Sequence, residues 1–218
     1  QRSRQRSNPN PPKNKRLPQK SALNPFSDWG FFVVARPQKK AHITNMKPTL
    51  LRDHETTDVS GWLMSEKLDG WRMLWTGSEF VSRSGKAFDV PAAWLVGMPD
   101  FPLDGELFAG RGKFNQIQGM IRDGWEGLSF QAFDVPSASP FADRVEILNK
   151  LSLPAHCELV KHETVADERA MKAAAWKEVL AGGEGVVVRN PASPYKSGRD
   201  KNVLRDVPRD PVQNRLAA

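Results

Sequence analysis

Lys67-Leu68-Asp69-Gly70-Trp71-Arg72 joins a strand-like segment, residues 61–68, to the apolar-rich run Trp71 to Trp75 across an Asp-Gly turn. Working outward, a second turn comes at Thr76-Gly77, and Glu79-Phe80-Val81-Ser82-Arg83 alternates as a half-buried strand does. Strand, turn, strand, turn, strand predicts a β-meander. A lysine in a strand that ends at such a turn is held at the rim of a sheet, where a nucleotide can reach it. A lysine amine attacks phosphorus only when deprotonated, and burial or a nearby cation favours that form. Arg72, five positions on, falls just past the turn, where it can bond ribose or phosphate oxygens. Taken alone, the hexapeptide has a commoner explanation, a surface lysine beside a hairpin.

Two further segments carry chemistry. In Leu103-Asp104-Gly105-Glu106-Leu107 the two acids alternate along a strand, so they share a face and can bind hydroxyls or a metal. In Glu184-Gly185-Val186-Val187-Val188-Arg189 a carboxylate stands at the mouth of an apolar strand, a good place for a divalent cation. Magnesium commonly takes one or two carboxylates plus substrate phosphates. Each segment on its own also reads as an ordinary strand with charged residues at its edge.

The order of the segments decides between these readings. The chain resembles the covalent nucleotidyltransferases, specifically the ATP-dependent DNA ligases of the small bacterial and viral type. Their Lys-x-Asp-Gly-x-Arg motif is matched at Lys67, Asp69, Gly70 and Arg72, and Ser-Arg-x-Gly at Ser82, Arg83 and Gly85. Asp-Gly-Glu is matched at Asp104 to Glu106, and the aromatic-Asp pair at Phe133-Asp134. Glu-Gly-x-x-x-Arg/Lys is matched at Glu184, Gly185 and Arg189. Gly110-Arg111-Gly112-Lys113-Phe114 and Tyr195-Lys196-x-Gly-Arg199 resemble DNA ligases more than capping enzymes or RNA ligases. The similarity covers roughly residues 46–205.

The resemblance implies a fold, a chemistry and a set of roles. The fold is α+β, a nucleotidyltransferase (ATP-grasp-like) domain with antiparallel sheets flanked by helices. Lys67 would take AMP from ATP, with Mg2+ held by Glu184 and Glu106. Glu66, Arg72, Arg83, Glu106, Phe133, Val187 and Arg205 would line the nucleotide site. Phe133 would stack on adenine and Val187 would cover its other face. The partner would be nicked duplex DNA, sealed in replication, repair or recombination by a monomer. Arg111, Lys113 and Arg122 are candidates for the DNA backbone, or else ordinary surface charge.

The pattern breaks in two places. Two lysines, one residue apart, end the family's last motif, and here those positions hold Arg205 and Val207. Arginine keeps a charge but is not equivalent to an ammonium group, and valine keeps none. Losing one donor to a developing phosphate charge typically costs roughly 3–4 kcal/mol of barrier. The family also continues into an oligonucleotide-binding barrel, whereas Pro208 to Ala218 reads as an irregular tail, so no complete barrel is expected. A nucleotide- or DNA-binding remnant of low activity is therefore an alternative.

Charge and composition set the remaining bounds. The net charge of +7 is held by residues 1–20, which carry seven basic residues and no acid. Residues 21–218 balance 25 basic against 25 acidic residues. With its prolines and few apolar residues, the extension 1–45 is expected to be largely disordered, the patch Trp29 to Val34 being a short strand or docked arm. Its arginines attract phosphates, or form a solvated extension. The sequence starts at Gln1, so an earlier natural start is expected. It lacks the apolar core of a secretory signal, and no apolar run approaches membrane-spanning length. A cytoplasmic location is the default, with the compartment left open. The single Cys157 excludes an internal disulfide and reads as a packed small residue.

The rest of the domain, 46–207, alternates elements. A short helix is expected at 91–97, strands at Leu103 to Phe108 and 129–134, and helices at Phe114 to Arg122, 140–152 and 166–181. Gly182-Gly183 stops the last helix.

Overall fold

The structure, a computed structural model, describes residues 47–208. The basic extension 1–45, its Trp29 to Val34 patch and most of the tail after Pro208 lie outside the described residues. Ten strands and three helices follow one another: β1 (Thr49–Asp53), β2 (Leu63–Glu66), β3 (Trp71–Trp75), β4 (Phe80–Ser82), β5 (Leu103–Phe108), α1 (Ile117–Arg122), β6 (Ser129–Asp134), α2 (Phe141–Asn149), β7 (Cys157–Leu159), β8 (Glu163–Thr164), α3 (Glu168–Leu180), β9 (Val186–Arg189) and β10 (Gly198–Asp206). Short 3-10 turns occupy Ala92–Trp94 and Phe114–Gln116.

The strands form two five-stranded sheets. The first runs β1-β10-β9-β2-β8 and the second β4-β3-β5-β6-β7. The α+β class is as expected. Most pairs are antiparallel, but β1 with β10 and β6 with β7 are parallel. The meander is not formed. β2 pairs with β9 and β8 in the first sheet, while β3 pairs with β4 and β5 in the second. The Asp-Gly turn is a crossover between sheets, not a hairpin. The Lys67 N–H donates to Gly185 O at 2.9 Å, so the chain follows β9 past the end of β2 before it leaves. Gly70 then passes the second sheet so closely that a Cβ there would lie 2.4 Å from Leu107 O. No other residue fits that crossing.

Each sheet buries its outer face in its own core. Val186, Val188 and Leu204 pack with Met171 and Ala175 of α3. Met73, Trp75, Leu103, Leu107 and Phe130 pack with Trp94 and Trp125. Period-2 alternation therefore sends the other residues of these strands, Val187, Arg189, Arg72, Asp104 and Glu106, toward the space between the sheets. A register shift between Asp104 and Gly105 pairs them with Asp134 and Ala132, leaving Phe133 as an extra residue that a bulge turns toward that space. Helix α3 begins at Asp167, whose carboxylate accepts from the Ala170 N–H at 2.7 Å, and stops before Gly182 at φ +83°. Cys157 is buried, and burial pushes its thiol up to about 12, which leaves it unreactive.

Candidate active site

An open cleft of about 640 Å3 lies between the sheets. Glu66, Lys67, Arg72, Arg83, Glu106, Phe133, Val187 and Arg205 all line it. Lys67 sits just past β2 and donates through Nζ to Glu184 Oε2. Glu184 stands before β9, and Gly185 adopts φ +135°, at a place where a Cβ would lie 2.3 Å from Asp206 O. That contact packs the residue after the carboxylate against the end of β10, beside Val207. Position 207, where a lysine of the motif would stand, is therefore next to Gly185, whose O accepts from the Lys67 N–H, and carries only an apolar, 37% exposed side chain. Arg205 donates from Nε to Asp53 Oδ1 at 2.6 Å across the β1–β10 pair.

The second sheet supplies a charged floor. Arg72 donates from Nε to Asp104 Oδ1 and from Nη2 to Asp104 Oδ2, both at 2.6 Å. Asp104 has no exposed surface. Burial opposes the charge on Arg72, but Asp104 outweighs it and holds the guanidinium above its ordinary range. Glu106, two residues along β5, is pushed up to about 7, chiefly by burial, with Arg72 opposing. Phe133 is 8% exposed, and the Arg72 and Arg189 guanidinium carbons lie 4.7 and 4.9 Å from its ring centroid. Burial pushes Arg189 down to about 10 against the pull of Asp134. Beneath this floor, Arg144 donates to both oxygens of Asp134, at 2.6 and 3.1 Å.

Two more carboxylates, Asp69 and Glu184, act on Lys67 and Glu106, although neither lines the cleft itself. Asp69 is raised by burial and by the charge of Glu184, and Glu184 also raises Glu106. Among the described residues no group of three or more His, Cys, Asp or Glu side chains converges as an all-protein metal site. Glu184 and Glu106 still fit magnesium, which needs few protein ligands when phosphate oxygens complete its shell. Their mutual repulsion is what a divalent cation relieves.

Arg111, Lys113 and Arg122 stand outside the cleft and are exposed. Arg111 turns back onto the protein. Its Nε donates to Glu66 Oε1 at 2.9 Å, Nη1 to Ala181 O at 3.1 Å and Nη2 to Glu178. Arg122 pairs with its neighbour Asp123 at 3.1 Å. Sequence reasoning missed Thr49 of β1, which lines the cleft, and Arg144. Thr49 gave no signal. Arg144 did, because it falls in helical register with the buried Phe141, Val145 and Leu148.

A lysine at the mouth of an inter-sheet cleft, facing carboxylates and a floor of arginine and aromatic groups, defines a nucleotidyltransferase domain. No family model matches the chain. It is 35% identical over 166 residues to a DNA ligase of Haemophilus influenzae Rd, covering 72% of this chain and 61% of that relative. It thus spans about three fifths of the relative's length. A structure from a structure-function study of Lig E DNA ligases superposes with a TM-score of 0.69 at 27% identity, over 75% of this chain and 69% of that one. The Chlorella virus DNA ligase-adenylate superposes with a TM-score of 0.61 at 20% identity, over 74% and 67%. The chain is similar in sequence to DNA ligases and has the fold of the adenylyltransferase domain of the ATP-dependent ligases.

Proposed function

We propose that this chain carries out the nucleotidyl transfers of ATP-dependent DNA ligation, with Lys67 as nucleophile. The observation that carries the reading is the Lys67–Glu184 contact at the cleft that also gathers Arg72, Glu106, Phe133 and Val187. Lys67 Nζ, once it has lost a proton, attacks the α-phosphorus of ATP. A P–N bond forms, the bond to the bridging oxygen breaks, and pyrophosphate leaves. Glu184 Oε2, which accepts from Nζ, is placed to receive the proton. Phe133 and Val187 flank the base, and Arg72 and Glu106 face the ribose. Glu184 and Glu106 would hold a magnesium ion, which would supply charge neutralisation for the triphosphate.

AMP then passes to the 5′-phosphate of a nick in duplex DNA, breaking the P–N bond. The 3′-hydroxyl attacks that 5′-phosphorus, forms the phosphodiester and releases AMP. Arg83, exposed on the turn after β4, reaches the nucleotide phosphates or the 5′-phosphate. The setting is DNA replication, repair or recombination, and the working form a monomer. No helix among the described residues is long and apolar enough to cross a membrane.

Incubation with α-labelled ATP and magnesium tests the first step. Wild-type protein is expected to gain the mass of one AMP on Lys67, and Lys67→Ala none. Label retained by Lys67→Ala moves the nucleophile elsewhere, and no adenylate on the wild type ends the enzyme reading. Nicked DNA compared with nicked RNA then decides the substrate. One observation favours a second reading, a nucleotide-binding relative with slow chemistry: Val207 puts no cation where the motif has one.

A further inference from the structure

Tyr195 is the only tyrosine in the sequence, and it does not line the cleft. It stands in the segment between β9 and β10. Its hydroxyl donates to Asp104 Oδ2 at 2.6 Å and accepts the Thr49 N–H at 3.3 Å. Asp104 in turn grips Nε and Nη2 of Arg72, and Nη2 also donates to Thr49 O at 3.2 Å. One hydroxyl thus connects β1 of the first sheet, the β9–β10 segment and the carboxylate that aims Arg72 on the second sheet. Arg72 Nη1 is the nitrogen that neither Asp104 nor Thr49 engages, and Arg72 lines the cleft.

The ring is itself held from the far side. The Tyr195 N–H donates to Ser137 O at 3.1 Å. Arg144 Nη1 donates to Ser193 O at 2.8 Å and Ser139 O at 2.6 Å. The position of the hydroxyl is therefore fixed by the protein, and it gives a buried carboxylate that already accepts twice from Arg72 a third donor and an anchor outside its own sheet. Without that donor the Asp104–Arg72 pair keeps its two bonds but is tied to the first sheet only through Arg72 Nη2 and Thr49 O, and it can shift as a unit.

We propose that Tyr195 is a positioning residue for Arg72 and, through Asp104, sets the preference of the cleft for a nucleotide with a 2′-hydroxyl. The inference rests on the reading above that Arg72 and Glu106 face the ribose. An arginine whose carboxylate partner is itself anchored discriminates between sugars, whereas an arginine–carboxylate pair that shifts as a unit discriminates less.

Equilibrium binding of ATP and dATP to the full chain in EDTA tests this without requiring covalent transfer. Wild-type protein is expected to favour ATP. Tyr195→Phe, which keeps the ring, is expected to weaken ATP about tenfold and dATP less than about twofold. Asp104→Asn gives an independent route to the same loss of selectivity. In that background Tyr195→Phe should add less than about twofold, since the two act as one unit. Wild type binding both nucleotides alike overturns the proposal. So does a Tyr195→Phe protein that melts earlier but keeps its selectivity, or full additivity with Asp104→Asn. Absence of adenylate on wild type, with selectivity present, fails the ligase reading alone.

Discussion

On the side of the cleft that we propose faces the ribose, Arg72 is clamped by an Asp104 side chain that is 1% exposed, and Arg144 by an Asp134 side chain that is 6% exposed. On the side that we propose faces the phosphates, Lys67 has one carboxylate partner, 34% exposed, and Arg205 has Asp53, 72% exposed. Buried pairs of the first kind fix geometry, because removing either partner strands a charge. Pairs of the second kind, partly exposed at Lys67–Glu184 and exposed at Arg205–Asp53, hold their geometry less firmly and exchange partners more readily. On the proposed function, the ribose side would be the same before and after a nucleotide arrives, and the phosphate side would let go of its own partners when phosphates replace them.

Removing the deepest support breaks the comparison most severely. Arg144→Ala leaves Asp134 buried without its partner and frees the backbone of residues 139 and 193. Unfolding in urea should show a loss of about 3–5 kcal/mol. A loss no larger than that of a surface arginine would show that the floor is not locked.

Glu106 tests the same side through pH. Its folded-state value, about 7, lies above the ordinary 4.5, so the folded chain holds this proton more tightly than the unfolded chain. Its contribution to stability is present below about pH 4.5 and is lost as pH rises to about 7. Glu106→Gln should flatten that part of the stability profile, by an amount on the order of 2–3 kcal/mol between pH 5 and 8. Parallel profiles for the two proteins would refute the burial of this charge.

The phosphate side should respond in the opposite sense, by gaining function. Val207→Lys puts a cation beside Gly185, the residue that pairs with Lys67, without disturbing a buried group. The rate of adenylation at saturating ATP should rise about tenfold, with stability changed by less than about 0.5 kcal/mol. An unchanged rate would mean that Arg205 already supplies the charge the reaction needs.

Strands such as Leu103–Phe108 and Ser129–Asp134 were legible because their inward and outward residues differ in polarity. The longest strand, Gly198–Asp206, was not read as one. Only Val203 and Leu204 in it are apolar, and they are adjacent rather than alternating. The assignment of β2 and β3 to different sheets was also hidden, since an Asp-Gly turn looks alike in a hairpin and a crossover. What separates them is Gly70 against Leu107 O, a contact between residues 37 positions apart. The grouping of Lys67, Arg72, Glu106, Phe133 and Val187 at one cleft followed from the order of the motifs, and the cleft gathers them. Arg111 could not be placed that way. Its acidic partners, Glu66 and Glu178, lie 45 and 67 residues away, and nothing local to Gly110-Arg111-Gly112 announces them.

The pairing of β1 with β10 also orders events during synthesis. Every strand of the second sheet lies between Trp71 and Leu159, so that sheet needs only a continuous middle stretch of chain. The first sheet joins Thr49–Asp53 to Gly198–Asp206 and stays open until the last of these residues has emerged. Contacts this distant in sequence form late and slowly. Lys67, though made early, therefore meets Glu184 and the end of β10 only when the described chain is almost complete. A nascent chain halted before β9 would have the strands of the second sheet, but neither Tyr195 to hold Asp104 nor an assembled nucleophile.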